Sequence, residues 1–447
     1  MKHFLQYSLI AAIMLTAAPA SEETLNELKV LKKMHRELLL RIEALEEKLA
    51  KEQSEKPSVA TPSKEENPVV AEAEPENKGV LELTSDKTVL GVGGRIQVDS
   101  YYGWPEGSHT AGGITLDDNA AGEEGQLGMS ARDSRLWVKT RTPSRYGMIR
   151  SLIETDFWGS DGTETVSNSH GLRLRHAYVQ VGPWTVGQTN SLFNAAVTLD
   201  TLYDSLDYTL VRQPLLSYTG EHGSWNYSVS LEQPETTLIT QDGTKVTPQD
   251  DKLPDIGARV RFYPKWGEAG IAAMIRYITI DQAGLLVNSG DVNTTADDVY
   301  TTADDNAWGW GVNGYGSVRI SNNDDIRFGA TYGKGLGRYF AYNAFTAGSV
   351  DANGEISLQE VYGGHLGYRH WWYDSLRSTL AYSYAATNHT GSAANVTKAS
   401  RSLQANLLWT PASSMLVGIE YARALRELES GEEGEMELLR MTLRYDF

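Results

Sequence analysis

The chain has 447 residues, no cysteine and a formal net charge of −18. The lack of cysteine excludes a disulfide framework, a thiolate metal site and a cysteine nucleophile. The acidic balance argues against nucleic acid as a partner, because binding to phosphate requires a basic face. The mean hydropathy of −0.38 is that of a water-soluble protein, but membrane strands that alternate with polar loops give a similar value.

Residues 1–20 predict a signal peptide. Lys2 and His3 precede a short apolar run, and Ala18-Pro19-Ala20 has the small-residue pattern of a cleavage site. The apolar run is too short to span a bilayer, and no other stretch reaches roughly 18 apolar residues. We therefore expect an exported chain that can enter a membrane only as strands.

Residues 21–52 predict a helix with a heptad seam. The seam residues recur at alternating spacings of three and four, with Glu, Lys and Arg between them: Leu28, Leu31, His35, Leu38, Ile42, Leu45 and Leu49. This pattern favours a self-associating coiled coil, and a single helix packed on a domain is the alternative. We expect His35 to be a polar seam residue rather than a metal ligand. Residues 53–87 are rich in Pro, Glu, Lys, Ser and Ala, which predicts a disordered linker.

Residues 88–447 alternate between apolar and polar side chains with the period of a strand. Ile96 and Val98, for example, oppose Arg95 and Gln97. A soluble sandwich also alternates, but it would not repeat outward ladders of Tyr and Trp over so many hairpins, whereas a bilayer requires them. Short turns also alternate with long polar loops, expected to be surface loops, at 103–130, 233–255, 281–306, 337–358 and 385–400. The chain therefore predicts an all-β fold, a transmembrane antiparallel β-barrel of about 16 strands with an aqueous lumen, preceded by the α-helical coiled-coil segment.

The polar faces of these strands are rich in arginine. Guanidinium groups bind carboxylates through two parallel hydrogen bonds, and rings of Arg and Lys make a pore selective for anions. The alternative is that these bases pair with inward acids such as Glu154, Asp156, Glu232 and Glu420 and only fill the lumen. The candidate pore-lining residues are Arg95, Arg135, Lys139, Arg150, Arg259, Arg261, Arg276, Arg327, Arg377 and Arg440.

The strand pattern leaves open which face of the sheet Arg173 and Arg175 occupy. If both face inward, then His176, Tyr178 and Gln180 face outward, which is expected only at an interface between subunits. We predict that Arg173 and Arg175 line the constriction of the pore.

Residues 190–207 have mixed polarity and fit no strand. They predict a constriction loop that folds into the lumen and brings Asp200, Asp204 and Asp207 near the basic wall. An ordinary surface loop is the alternative.

Motifs for catalysis are weak. Residues 309–314 match G-x-G-x-x-G, but they lie within a strand and open no helix. The sequence has no G-x-S-x-G, H-E-x-x-H or Walker loop, its histidines form no pair at metal spacing, and the acidic loop 291–305 lacks EF-hand spacing. We expect no enzyme activity, no cofactor and no metal.

Several phrases resemble the DcaP-like porins, a family of trimeric outer-membrane channels of Gram-negative bacteria. They occur in collinear order at 172–179 with 186–189, 231–237, 253–259, 332–339, and 370–372 with 376–380. The final strand, ending on Phe447, also resembles the C-terminal signature of bacterial outer-membrane barrels. The resemblance implies a sixteen-stranded barrel, a periplasmic helical segment that can form a three-stranded coiled coil, and passive uptake of small anions such as dicarboxylates.

Two hypotheses follow. The first is a homotrimeric diffusion porin of the outer membrane, whose partners are lipid, small anionic solutes and its own copies, joined through the barrel wall and the Leu28–Leu49 coiled coil. The second is an envelope tether that uses the barrel as an anchor. Deletion of residues 21–87 would separate them, because transport persists under the first hypothesis and envelope integrity fails under the second. The acidic residues of loop 291–305 could repel anions at the mouth.

Overall fold

The computed structural model describes residues 83–85, 88–104, 125–160, 167–195, 197, 199–241, 243–249, 251–288, 299–321, 323–388 and 396–447. The predicted signal peptide and coiled coil lie outside these residues, as does most of the predicted linker. Within that linker segment, Leu83–Ser85 forms a short strand paired with Thr88–Leu90. No helix of the described part is long and apolar enough to cross a membrane.

The described chain forms one closed antiparallel barrel of 16 strands, which confirms the predicted all-β fold and strand number. Each strand pairs with the next, and the last pairs with the first from Arg95 opposite Asp446 to Trp104 opposite Glu437. The second strand has two parts that pair with successive stretches of the first. The strands are β1 Thr88–Trp104, β2 Gln126–Ser130 with Arg135–Ser144, β3 Gly147–Ser160, β4 Gly171–Val181, β5 Trp184–Asn190, β6 Arg212–His222, β7 Trp225–Glu232, β8 Asp255–Phe262, β9 Gly267–Asn288, β10 Val299–Arg319, β11 Asp325–Lys334, β12 Glu360–Tyr373, β13 Leu376–Asn388, β14 Thr397–Ala412, β15 Met415–Leu428 and β16 Glu433–Asp446.

The outer surface of the barrel is apolar. On β16, Leu439, Met441, Leu443 and Tyr445 are 39–55 % exposed, while Thr442 between them is buried at 3 %. This alternation follows from the pleat, which directs successive side chains to opposite faces of the sheet. An apolar belt of this kind is stable against hydrocarbon, where a polar outer face would not be.

One end of the barrel carries only short turns among the described residues, such as 145–146, 223–224 and 374–375. Gly223 adopts a φ of +59° in its turn, a conformation that favours glycine. Short turns are typical of the periplasmic end. At the other end, the loop expected over 281–306 is shorter than predicted, because β9 and β10 stay paired as far as Asp281 opposite Asp304 and beyond.

Two loops at the long-loop end fold together rather than extend into solvent. Residues 233–254 and 335–359 supply a four-stranded sheet formed by Leu238–Thr240, Lys245–Val246, Gly348–Val350 and Ile356–Leu358. The sheet packs on Ile278 and Ile280 of β9. These two side chains face the barrel interior, yet they are only 0 and 1 % exposed because the sheet covers them. This part of the barrel interior is therefore filled by apolar packing.

Candidate functional site

The described residues between β5 and β6 (191–195, 197 and 199–211) lie inside the barrel and are called the inner loop here. Its first part is held by two strands: the backbone N–H of Leu192 donates to Glu232 Oε1 at 3.0 Å, and Asn313 Nδ2 donates to the carbonyl of Phe193 at 3.1 Å. Glu232 belongs to β7 and Asn313 to β10. Both side chains are buried, so these bonds form away from solvent.

The later part of the inner loop is held by the opposite wall. Glu420 of β15 accepts the backbone N–H groups of Leu202 and Tyr203 at 2.7 and 2.6 Å. Arg440 Nη1 donates to the carbonyl of Leu202 at 2.6 Å, and Gln404 Nε2 donates to that of Tyr203 at 3.1 Å. The inner loop thus runs from β7 and β10 to β14, β15 and β16, across the interior.

Asp200, the first of the three predicted constriction acids, meets arginine. Its carboxylate accepts Arg377 Nε at 2.5 Å and Nη2 at 3.2 Å, and Arg369 Nη1 lies 3.4 Å away. This two-pronged contact is a strong form of ion pair, because the planar guanidinium matches the carboxylate. Asp200 therefore brings the inner loop to β12 and β13.

The other two predicted acids have different partners. Asp207 Oδ2 lies 2.7 Å from His365 Nδ1, and both side chains are buried. Asp204 is exposed and accepts the hydroxyl of Tyr342 at 2.5 Å. The structure therefore brings only Asp200 into direct contact with the basic wall.

Asp200 is one of three carboxylates in an arginine cluster on the walls of β1, β11, β12, β13 and β16. Asp446 contacts Arg95 and Arg444, Asp325 contacts Arg327 and Arg369, and Asp200 contacts Arg369 and Arg377. Arg444 is also within electrostatic range of Arg377 and Asp200. Five guanidinium groups against three carboxylates give this cluster of described residues a formal charge of 5 − 3 = +2. The members of the arginine cluster are Arg95, Arg327, Arg369, Arg377, Arg444, Asp200, Asp325 and Asp446.

A second basic wall lies on β2, β3 and β4. Arg135 contacts Glu154 at 3.4 Å, and Arg173 contacts Asp156 at 2.6 Å. Arg175 bridges the same two acids at 2.6 and 2.9 Å. The side chain of Arg173 is 46 % exposed on the inner face, so water reaches this part of the interior.

A β-bulge at Arg175 settles the parity of β4. Glu154 is opposite His176, but Thr155 is opposite Leu174, so Arg175 is an extra residue in the pairing. The extra residue lets Arg173, Arg175 and His176 share the inner face, and His176 Nδ1 lies 3.0 Å from Thr189 Oγ1. The expectation that His176, Tyr178 and Gln180 face outward when the arginines face inward is therefore wrong.

The remaining predicted pore-lining bases that stay accessible from the barrel interior lie on β2, β3 and β16. Arg150 is exposed and stands opposite Arg141 in the pairing of β3 with β2, with Lys139 two residues away on the same inner face. Arg440 contacts Asp99 at 3.0 Å and Asp133 at 3.3 Å. The structure thus places like charges side by side at Arg141 and Arg150, a pairing that is by itself unfavourable in a sheet.

Two predicted pore-lining residues are closed off from the open interior. Arg261 and Arg276 are 2 and 1 % exposed. Arg276 pairs with Asp255 at 3.1 Å and donates to the carbonyls of Gly335 and Glu235 at 3.1 and 2.7 Å, so it holds the loops that fill this side. A solute cannot reach these two side chains. Arg259 shares the inner face of β8 and is half-buried.

Sequence reasoning missed Arg369 and Tyr342. Arg369 shares the inner face of β12 with His365, so the strand period could have found it. Tyr342 lies in a loop that has no strand period, and its contact with Asp204 depends on how two loops meet. No sequence signal points to it.

These observations define a class of protein. A closed barrel with an apolar exterior, a water-accessible charged interior and a loop folded across that interior is an outer-membrane β-barrel channel. A sequence profile of the family described as Porin subfamily matches residues 87–422, and the chain belongs to this family. The family and the fold are those of non-enzymatic channels in the outer membrane of Gram-negative bacteria.

Solved structures share the fold. The outer membrane channel DcaP of Acinetobacter baumannii aligns with a TM-score of 0.67 at 22 % identity, over 81 % of this chain and 99 % of that one. An anion-selective porin from Comamonas acidovorans aligns with a TM-score of 0.52 at 10 % identity, over 81 % of this chain and all of that one, 100 %. OmpT of Vibrio cholerae aligns with a TM-score of 0.51 at 13 % identity, over 82 % of this chain and 99 % of that one. The family match and the DcaP fold confirm the resemblance seen in the sequence phrases. No curated protein sequence matches the chain.

Proposed function

We propose that the protein is a passive diffusion porin whose passage, between the inner loop and the arginine-rich walls, favours small anionic solutes. The single observation that carries this proposal is the arginine cluster, in which five guanidinium groups share three carboxylates. A unit charge about 4 Å from a solute is worth about 4 kcal/mol at an effective dielectric constant of 20. An excess of two positive charges therefore favours an anion over a cation of the same size.

The guanidinium groups keep donors for a passing solute. Each guanidinium has five N–H donors, and Arg95 reaches Asp446 through Nε at 2.8 Å. A solute carboxylate can bind several such groups in turn without replacing the ion pairs. Weak binding at successive sites is what a channel needs, since a solute must also be able to leave.

The acids of the inner loop oppose this preference only weakly. Asp200 is bound by Arg377 and Arg369, and Asp207 is buried against His365. Asp204 remains exposed, and its carboxylate is hydrogen-bonded to Tyr342. The inner loop then acts as the constriction, with its acids held by partners and the walls supplying the field.

The finer parts of the proposal rest on the relatives. We take small anions such as dicarboxylates as the solute class, because the DcaP-like resemblance implies them and because the Comamonas relative is an anion-selective porin. We also propose a homotrimer, joined through the apolar outer wall and the predicted Leu28–Leu49 coiled coil, with the helical segment in the periplasm. Sedimentation of the detergent-solubilised protein tests the number of copies.

Ion selectivity in planar lipid bilayers tests the function. Under a KCl gradient we expect a reversal potential of the sign given by chloride preference, and liposomes should swell faster with dicarboxylates than with neutral sugars of similar size. A cation-selective channel, or no conductance from correctly folded protein, would overturn the proposal.

Two substitutions assign the preference to the walls. Arg173→Ser removes an exposed positive charge while Arg175 still holds Asp156, and Arg150→Ser removes a charge that faces Arg141. Neither leaves an acid without a partner, so both should lower the anion preference and preserve the fold. Arg145→Ser is the matched control, because Arg145 lies in a short turn outside the lumen. Unchanged selectivity in both wall variants would contradict the assignment.

A further inference from the structure

The loop between β11 and β12 contains a turn in an unusual backbone conformation. Ala341, Tyr342 and Asn343 have φ angles of +51°, +54° and +61°. L-residues avoid this left-handed region, because Cβ approaches the neighbouring carbonyl oxygen, and consecutive non-glycine residues there are rare. Backbone strain of this kind persists only where the surroundings impose it.

The surroundings of this turn are tightly packed. Phe340 and Phe345 are buried at 0 and 1 %, with ring centroids 5.7 Å apart, and Tyr339 is buried at 0 %. The backbone N–H of Ala341 donates to the carbonyl of Tyr208 in the inner loop at 3.0 Å. The turn is therefore fixed by the buried aromatic residues next to it in the chain and by a hydrogen bond to the inner loop.

Tyr342 is the side chain that this turn exposes. It is 37 % exposed, in contrast to Phe340 and Phe345, which are buried. Its hydroxyl donates to Asp204 Oδ2 at 2.5 Å, and its ring centroid lies 5.7 Å from that of Tyr208, at an interplanar angle of 32°. The strained turn thus places one aromatic ring over the exposed acid of the inner loop.

The position of Asp204 shows what the ring faces. Leu202, two residues earlier, is held by Arg440 and Glu420 on the barrel wall. Asp204 lies two residues beyond Leu202 in this inner loop and is exposed, and its carboxylate accepts the Tyr342 hydroxyl. Tyr342 therefore lies beside the part of the inner loop that is attached to the barrel wall, but it comes from a different loop.

We infer that Tyr342 is a second constriction element and a selectivity determinant of this channel. Its ring narrows the passage from the side of the β11–β12 loop. Its hydroxyl binds the Asp204 carboxylate and so weakens the field of the exposed acid in the inner loop, which would otherwise repel anions. The inference rests on the proposed function, because it names a residue that controls selectivity in the same passage.

Two substitutions separate the ring from the hydroxyl. Tyr342→Phe keeps the ring, so we expect single-channel conductance close to that of the wild type and an anion-to-cation permeability ratio lowered about threefold, as for an exposed charge interaction. Tyr342→Ala removes both, so conductance should rise and the size limit for solutes in liposome swelling should increase. Tyr362→Phe is the matched control, since Tyr362 is equally exposed at 37 % but lies on the outer face of β12.

A double-mutant cycle tests the pairing with Asp204. Asp204→Asn should raise the anion preference, and Tyr342→Phe should have no further effect on selectivity in that background. Heat-modifiable migration of each variant in gel electrophoresis shows that the barrel has folded. A Tyr342→Phe effect that persists without the Asp204 charge would overturn the selectivity part of the inference.

The aperture part has its own outcome. If folded Tyr342→Ala has wild-type conductance and an unchanged size limit, Tyr342 is not a constriction element. This result does not depend on ion preference, so it is distinct from failure of the proposed function, which would appear as a wild-type channel without chloride preference.

Discussion

Glu420 Oε1 lies 2.6 Å from the backbone nitrogen of Tyr203, and this hydrogen bond joins residues 217 positions apart. The other carboxylate oxygen accepts the N–H of Leu202 at 2.7 Å and Asn406 Nδ2 at 3.0 Å. Glu420 is only 1 % exposed. A buried carboxylate is stable only when hydrogen bonds replace its hydration, and here the inner loop supplies two of them. The loop and the wall therefore stabilise each other.

Removal of this carboxylate should loosen the inner loop. Glu420→Ala leaves the N–H groups of Leu202 and Tyr203 buried without an acceptor, at a cost of about 3 kcal/mol in unfolding free energy. We expect a lower urea midpoint for refolded protein and a noisier, larger single-channel current. Glu420→Gln keeps one acceptor oxygen and should lie between Ala and wild type. Glu433→Ala, at an exposed position on β16, is the control, and an equal loss there would refute the role of Glu420.

The ion pair between Asp200 and Arg377 should set the charge of the passage. Arg377→Gln leaves Asp200 with Arg369 alone at 3.4 Å, so the exposed negative charge increases and anion preference should fall further than in Arg173→Ser. Asp200→Asn should raise the preference for anions, because the positive formal charge of the arginine cluster then increases by one. Reversal potentials in a KCl gradient measure both. A shift of the same sign in the two variants would contradict this account.

The inner loop packs against Gly367 of β12 through Leu199. A Cβ placed there would lie 2.5 Å from Leu199 Cδ2. Gly367→Val should therefore push the loop toward the passage, lower the conductance and cost about 1–3 kcal/mol of stability, as overpacking does. Gly314→Val is the matched control, since a Cβ at Gly314 meets nothing within 4 Å. Equal conductance in the two variants would show that Leu199 does not transmit the change.

Asp324, in the short turn before β11, should make the stability of the barrel depend on pH in the acidic range. The backbone N–H of Trp371 and the imidazole of His370 bond its carboxylate at 3.0 and 2.9 Å and lower the pKa of Asp324 from 3.8 to about 2. A depressed pKa favours folding above the unfolded value, and the contribution is lost as the pH falls through the folded value. The urea midpoints of wild type and Asp324→Asn should therefore differ by a constant amount above about pH 4 and converge toward about pH 2. Asp374→Asn, in another short turn, is the control. A difference that stays constant down to about pH 2 would exclude this origin.

The strand period explains why the barrel could be predicted from sequence. A wall that separates hydrocarbon from water forces alternation on every strand, so Arg95, Arg327 and Arg377 could be assigned to the inner face from their spacing alone. The bulge at Arg175 could not be predicted in the same way, because an inserted residue reverses the parity that follows it. The bulge explains why the orientation of Arg173 and Arg175 was ambiguous in the sequence pattern.

The filled side of the barrel was beyond sequence reasoning for a different reason. Residues 337–358 were expected to be a polar surface loop, but Tyr339, Phe340 and Phe345 pack as buried residues in the core. Their aromatic character was a signal of burial, yet the period of neighbouring strands gave no indication of which wall they would cover. The burial of Arg276 follows from that packing, since its partners Gly335 and Leu336 belong to the same loop. Long-range packing of loops decides such cases, not local pattern.

The pairing of β16 with β1 has a consequence for biogenesis. The bond from Arg95 to Asp446 spans 351 positions, and the backbone of Phe447 exchanges two hydrogen bonds with Gly94 at 2.9 Å. The cylinder cannot close before translation has delivered β16, so a polypeptide without β16 would present unpaired strand edges that can pair with another strand. Quality control of this protein should therefore act at the seam, and a nascent chain arrested before β16 should be degraded or aggregate rather than insert.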